Sequence, residues 1–154
     1  MHAIVCMPEK ETIRRARKDK REGKAPSTQA GEFVREEIEH VREGKHGARS
    51  TKQAIAIGLQ KARRAGVDLP PPKKGTTSER TRKSAEHAIE EGREHKKPSP
   101  RRSRATRQAL KREGHSAASP KALSRQASSA ARKRSAASRS QAAKKAARTR
   151  KRSA

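Results

Sequence analysis

Residues 30–41 read AGEFVREEIEHV, and residues 50–62 read STKQAIAIGLQKA. In the first stretch Ala30, Phe33, Val34, Ile38 and Val41 recur at three- and four-residue steps, the spacing that lines side chains along one side of a 3.6-residue helix. Glu32, Arg35, Glu36 and Glu39 read as its outer face. Gly44 stands where a helix C-cap belongs. In the second stretch Ser50 and Gln53 fit a capping box, in which each side chain satisfies a free backbone N–H near the other residue. Ala54, Ile55, Leu59 and Ala62 supply the apolar side, and Gly66 ends the helix. Joined by Gly44–Arg49, the two segments predict an antiparallel helical hairpin within residues 26–69. Val67 and Leu69 are expected to fold back over its open end. Pro70-Pro71-Pro72 then stops any helix and stiffens the exit.

Outward from the hairpin the signals thin. Residues 1–25 read as a flexible charged segment; Pro8–Lys24 permits helix, but Ile13 is its only large apolar residue, so a frayed or weakly docked helix is expected. Met7-Pro8 reads as a start site, with Met1–Cys6 as an upstream extension. Residues 70–97 read as a proline linker plus a short helix, opened by a capping box at Thr76 and Glu79 and running to about Glu91, with Ala85, Ala88 and Ile89 as a thin stripe. Ser99-Pro100 and Ser119-Pro120 each place a cap residue before a proline at the first helical position. Arg21-Glu22-Gly23-Lys24, Arg42-Glu43-Gly44-Lys45 and Arg112-Glu113-Gly114-His115 echo one another. They read chiefly as similar helix ends, with a duplicated helix–cap unit as the alternative; large apolar residues are too few for a solenoid.

Composition limits what can fold. Of the 154 residues 29% are apolar, many of them alanine, and Phe33 is the only aromatic. Low hydrophobicity with high net charge marks disorder, because burial cannot offset a chain entropy of about 1–2 kcal/mol per residue. The expected fold is mainly α: a small hairpin of two to four short helices, followed over residues 98–154 by a largely disordered polycationic tail. Like-charge repulsion in that tail predicts a chain unfolded when free and partly helical on a polyanion.

Charge points to the partner. Residues 98–154 hold eighteen lysines and arginines against one acid, Glu113, so they carry +17 of the chain's +26. A segment this cationic calls for a polyanion, and nucleic acid is the densest in a cell. The candidate contacts are Arg101, Arg102, Arg104, Arg107, Lys111, Arg112, Lys121, Arg125, Arg132, Lys133, Arg134, Arg139, Lys144, Lys145, Arg148, Arg150, Lys151 and Arg152. Alanine and serine spacers let the backbone approach phosphates, a pattern that grips without reading sequence. Ser99-Pro100-Arg101-Arg102 is similar to the Ser-Pro-basic-basic motif of linker-histone tails, where arginine suits the narrow, strongly negative minor groove; a capped helix start explains it equally. Single-strand readers stack bases on aromatic side chains. The sole candidate, Phe33, belongs to the apolar stripe, so duplex DNA is favoured over RNA. A helix–turn–helix with Lys52, Gln53 and Gln60 at the base edges is the weaker alternative, because the connection is long and the first helix acidic.

Other chemistries find little support. His2, His40, His46, His87, His95 and His115 show no metal-ligand spacing and read as surface residues. Glu36, Glu37 and Glu39 read as partners for neighbouring cations rather than an acid–base pair. Gly44-Lys45-His46-Gly47 lacks the length and the Ser/Thr ending of a phosphate loop. Cys6 is the only cysteine, which excludes an intramolecular disulfide and suits a reducing cytoplasm. No run approaches the roughly 20 apolar residues of a membrane span. The expectation is a non-enzyme with no cofactor, metal, membrane or small-molecule partner.

Met7-Pro8-Glu9-Lys10-Glu11-Thr12, Gly31-Glu32-Phe33-Val34-Arg35-Glu36-Glu37-Ile38 and Ser50-Thr51-Lys52-Gln53-Ala54-Ile55 together resemble a family of small basic proteobacterial proteins of unknown function. The resemblance spans about residues 7–75 and, more loosely, the half from Thr81 to Ala154. It implies a bacterial origin and supports Met7 as the start; it brings no activity or site residues. The tail also resembles bacterial histone-like and linker-histone tails in composition, which implies chromatin-type DNA binding. The function expected is a histone-like, nucleoid-associated protein of the bacterial cytoplasm, binding duplex DNA with little sequence preference, its hairpin serving as a small anchor or a self-association module. The alternatives are an RNA- or ribosome-associated protein, and a protein-interaction module localised by its tail.

Overall fold

A computed structural model describes residues 8–153. The candidate start at Met7, the upstream extension, His2 and Cys6 lie outside the described residues. Within them the chain forms seven α-helices, one 3-10 helix and no strand. The α-helices are α1 Lys10–Arg21, α2 Pro26–Arg42, α3 Thr51–Arg64, α4 Glu79–Arg93, α5 Pro100–Lys111, α6 Pro120–Arg132 and α7 Ala136–Ser153; the 3-10 helix is Ser116–Ala118. Two compact units result, one ending at Ser119 and one beginning at Pro120. No helix among the described residues is long and apolar enough to cross a membrane.

The first unit is built on α2 and α3. Ala30 and Ala62, at the ends far from the connecting loop, share one core cluster with Phe33 and Ala16. Midway along, a Cβ on Gly58 would lie 2.6 Å from the Val34 Cα, so the two backbones nearly touch there. The helices therefore run antiparallel, as a hairpin. Phe33 is 1% exposed, and burying a side chain of that size contributes about 1.5–3 kcal/mol. Ile13, Leu59, Val67 and Leu69 close the rim of the core.

Helix ends follow local chemistry. Ser50 Oγ accepts from the Gln53 N–H at 3.2 Å, while Gln53 Oε1 accepts from the Arg49 N–H at 2.7 Å. After α2, the Lys45 N–H reaches the His40 carbonyl and the Gly44 N–H the Val41 carbonyl, with Gly44 at φ 73°. This is the Schellman motif, and it needs a residue that tolerates positive φ. Gly23 at φ 69° ends α1 with the same pair of bonds, from Lys24 to Asp19 and from Gly23 to Lys20. Helix-end chemistry thus accounts for the first two Arg-Glu-Gly-Lys echoes. α4 begins later than the Thr76 signal implies: Ser78 caps it, accepting from the Thr81 N–H at 3.2 Å, while the Thr76 hydroxyl donates to the Lys73 carbonyl.

Two expectations are corrected. The segment before the hairpin is docked: Thr12 and Ala16 of α1 are buried, and Arg15 Nε donates to Glu32 Oε2 at 2.6 Å. Its fully buried residues, Thr12, Ala16 and Asp19, are small or polar, with Ile13 packed against the core beside them, so the spacing of large apolar side chains does not reveal the docking. The larger correction concerns residues 98–154, which are helical rather than a disordered tail, so the chain has more than the two to four helices expected. Alanine is the best helix former, and lysine, arginine and glutamine follow closely. Pro100 sits at the start of α5, and the Ser135 hydroxyl accepts from the Ser138 N–H at the start of α7. Propensity and caps prevail over like-charge repulsion.

Part of that region completes the first unit. The Leu110 carbonyl accepts from the Gly47 N–H, and the Gly114 carbonyl from the Ala48 N–H, each at 2.9 Å. Thr51 Oγ1 donates to the Ala117 carbonyl at 2.6 Å, and Arg42 Nε to the Ala118 carbonyl at 2.9 Å. Leu110, Ala117 and Ala118 are buried as a result. Residues 110–118 therefore form a lid over the α2–α3 loop. The second unit, α6 and α7, has no buried residue between positions 120 and 152.

Candidate functional site

Helix geometry fixes how the candidate contacts are displayed. On α6, Lys121, Arg125 and Arg132 fall within an arc of about 40° at 3.6 residues per turn, forming one basic stripe, and Lys121, Arg125 and Arg132 are exposed. On α7, Arg139, Lys144, Lys145, Arg148, Arg150, Lys151 and Arg152 are all exposed and spread around most of the helix. Lys133 and Arg134 lie in the connection, where the Arg134 guanidinium donates to Ser138 Oγ at 3.2 Å. Residues 120–154 carry twelve bases and no acid, so nothing within that unit can neutralise them.

The remaining six candidates belong to the first unit. Arg101, Arg102 and Arg104 are exposed on α5, as are Lys111 and Arg112 at its end. Arg107 is half-buried, and its Nε is buried without a partner. Ser99 makes no side-chain cap bond. Of the residues assigned to base edges in the helix–turn–helix alternative, Gln60 Nε2 donates to Ser84 Oγ and Gln53 caps Arg49, so both are engaged internally.

A second arrangement brings together charged and histidine side chains that lack any motif spacing. Glu36, Glu37, His40, His46 and Lys61 are all buried at the α2–α3 junction. The expectation that His40 and His46 are surface residues, and Glu36 an outer-face residue, is corrected accordingly. The signal is in the spacing: Glu37 stands four residues after Phe33 and four before Val41, at the centre of the apolar stripe, and Lys61 precedes Ala62 on the inner side of α3.

The two buried carboxylates face one buried ammonium. Lys61 Nζ lies 3.2 Å from Glu36 Oε1 and 2.7 Å from Glu37 Oε2. Glu37 Oε1 lies 3.0 Å from His46 Nε2. The two Glu37 contacts are short in distance, but neither is aligned as a hydrogen bond. His40 Nε2 lies 2.9 Å from Glu9 Oε1, which also accepts from Lys45 Nζ at 3.2 Å. His46 Nδ1 lies 3.0 Å from the Gly47 carbonyl.

Electrostatics follow from that placement. Burial opposes both charges of the central pair. Even so, nearby His46 and Lys61 hold the Glu37 carboxyl below its ordinary range, and Glu37 with the Gly47 carbonyl holds the His46 ring above its own. His40 and then Lys45 hold Glu9 below the usual carboxylate value. Removing one partner from such a buried set typically costs about 3–5 kcal/mol, because it strands the others unpaired.

The buried cluster and the helices that carry it lie in the part of the chain that resembles known sequences. Residues 10–74 match the model of a family of unknown function, DUF6496. No curated protein and no solved structure matches the chain. The DUF6496 domain spans α1, α2 and α3 and therefore holds Glu37, His40, His46 and Lys61; Glu9 stands just before it. Residues 110–118, which cover its central loop, and all eighteen basic candidates lie beyond it.

Proposed function

We propose that the chain is a nucleic-acid-binding protein that grips duplex DNA through backbone phosphates with little sequence preference. In this reading it acts in the bacterial cytoplasm as a histone-like component of the nucleoid. The observation that carries the proposal is the unit from Pro120 onward, with twelve bases and no acid, and no buried side chain among its described residues. An exposed basic stripe on α6 and bases spread around α7 can contact phosphates without needing base contacts. Because the bases stand on helices already, binding does not have to bear the full entropy of ordering a chain. Burial of Phe33 removes the only stacking platform and favours duplex over single strands.

The mechanism is counterion release. If about eight phosphates are neutralised, the logarithm of affinity falls with the logarithm of salt concentration at a slope of roughly −7. Fluorescence anisotropy of a labelled duplex, titrated with the full chain at several salt concentrations, measures the slope. A flat response overturns the proposal. Competition with structured RNA separates the DNA reading from its RNA alternative: RNA winning at equal phosphate concentration would make the chain an RNA partner.

A further inference from the structure

The buried cluster contains two ring nitrogens, His40 Nδ1 and His46 Nε2, without an aligned hydrogen-bond partner. A carboxylate and a carbonyl can only accept hydrogen bonds. His40 therefore donates its Nε2–H to Glu9 Oε1, and His46 donates its Nδ1–H to the Gly47 carbonyl. That leaves His40 Nδ1 and, on the neutral ring, His46 Nε2 as bare acceptors. Both atoms are buried and neither has an aligned hydrogen-bond partner; His46 Nε2 lies 3.0 Å from Glu37 Oε1, and Glu37 Oε2 lies 2.7 Å from Lys61 Nζ, neither pair aligned. One donor atom from each of Glu37, His40 and His46 lies within 4.8 Å of the others.

We propose that Glu37, His40 and His46 bind one divalent metal ion of the zinc class. Three further features fit. Metal-ligating histidines characteristically donate their second ring N–H to a carboxylate or a backbone carbonyl, which fixes the tautomer; Glu9 and Gly47 occupy those positions. Ligands about 2.0–2.1 Å from a tetrahedral ion lie roughly 3.3 Å apart, and His46 Nε2 and Glu37 Oε1 are already 3.0 Å apart. The cluster also carries net negative charge, since buried Glu36 and Glu37 outnumber buried Lys61 by one, and that excess attracts a cation. Imidazole and carboxylate donors suit zinc, cobalt and nickel. The site has three buried protein ligands and leaves the fourth position of a tetrahedral ion to water. It joins the last turns of α2 to the loop beneath residues 110–118, whose bonds to Gly47 and Ala48 hold that loop in place.

The test uses the full chain, stripped with a chelator and then titrated with Zn2+ or Co2+ alone. The expected result is one equivalent bound, a higher Tm, and ring-nitrogen NMR shifts that place the metal on Nδ1 of His40 and Nε2 of His46. Glu9→Gln, which leaves all three ligands in place, should weaken zinc binding about 10–100-fold. His46→Gln should weaken it further. A folded chain that binds no zinc overturns the proposal, and a proton on His46 would then supply the missing charge. Shifts confined to the other histidines overturn it as well. Should a variant fail to fold, the wild-type ring-nitrogen shifts decide alone.

Discussion

At the scale of single residues, position on a helix outweighs residue type. Glu37 and Lys61 belong to classes that rarely lie fully buried unless paired, yet each occupies the inner face of its helix and is buried with its partner. Two glycines show the same dependence on position. Gly58 is in the interior of α3, where alanine would normally be favoured by about 1 kcal/mol. A Cβ there would meet the Val34 Cα at 2.6 Å and the Val34 N at 2.9 Å. Both are backbone atoms, so the helices must move apart, an overpacking that costs about 1–3 kcal/mol. Gly58→Ala should therefore lower stability in urea denaturation, by roughly 1–2 kcal/mol. Gly31, on α2, has nothing within 4 Å of a built Cβ, so Gly31→Ala should raise stability by about 0.5–1 kcal/mol. A neutral or stabilising Gly58→Ala would refute the close approach of α2 and α3.

At the scale of elements, helix starts and stops were largely legible and docking was not. Ser50, Gly44 and Gly66 mark the hairpin ends in advance, because a cap is settled by two to five neighbouring residues. The docking of α1 escapes the sequence because its buried residues are Thr12, Ala16 and Asp19, none of them a large apolar side chain that would stand out as a stripe. Ser99-Pro100 and Ser119-Pro120 mark the starts of α5 and α6; what composition conceals is that helix persists through residues 98–154, because charge repulsion weighs less than the propensity of alanine-rich sequence. What no local rule could supply is the lid of residues 110–118. A Cβ on Gly47 would lie 1.9 Å from the Glu113 carbonyl oxygen, so Gly47→Ala should lift that lid. Tm should fall, and hydrogen exchange at the Ala48 amide should accelerate. Gly114→Ala, with open space around its Cβ, is the matched control and should leave exchange at Ala48 unchanged. Equal behaviour of the two variants would mean the lid does not seat on Gly47.

At the scale of the whole molecule, each unit is held by different physics. The first joins a small apolar core to a buried polar cluster. The second relies on helix propensity and its own backbone hydrogen bonds, with no buried side chain among its described residues. Amides with few buried contacts open locally at low cost. Hydrogen exchange should therefore protect α2 and α3 most and α7 least, with protection in α7 on the order of a hundredfold lower. Protection in α7 equal to that in α2 would contradict this division.

The sequence by itself determined the helical class, most helix ends and the concentration of positive charge in the last third, because propensity, capping and charge are properties of a few adjacent residues. Only the tertiary structure decided which charged residues are buried together and which segment covers them. The Glu9–His40 contact spans 31 residues and the Arg42–Ala118 contact 76. Burial is fixed by surfaces meeting across such separations, and no local pattern encodes it.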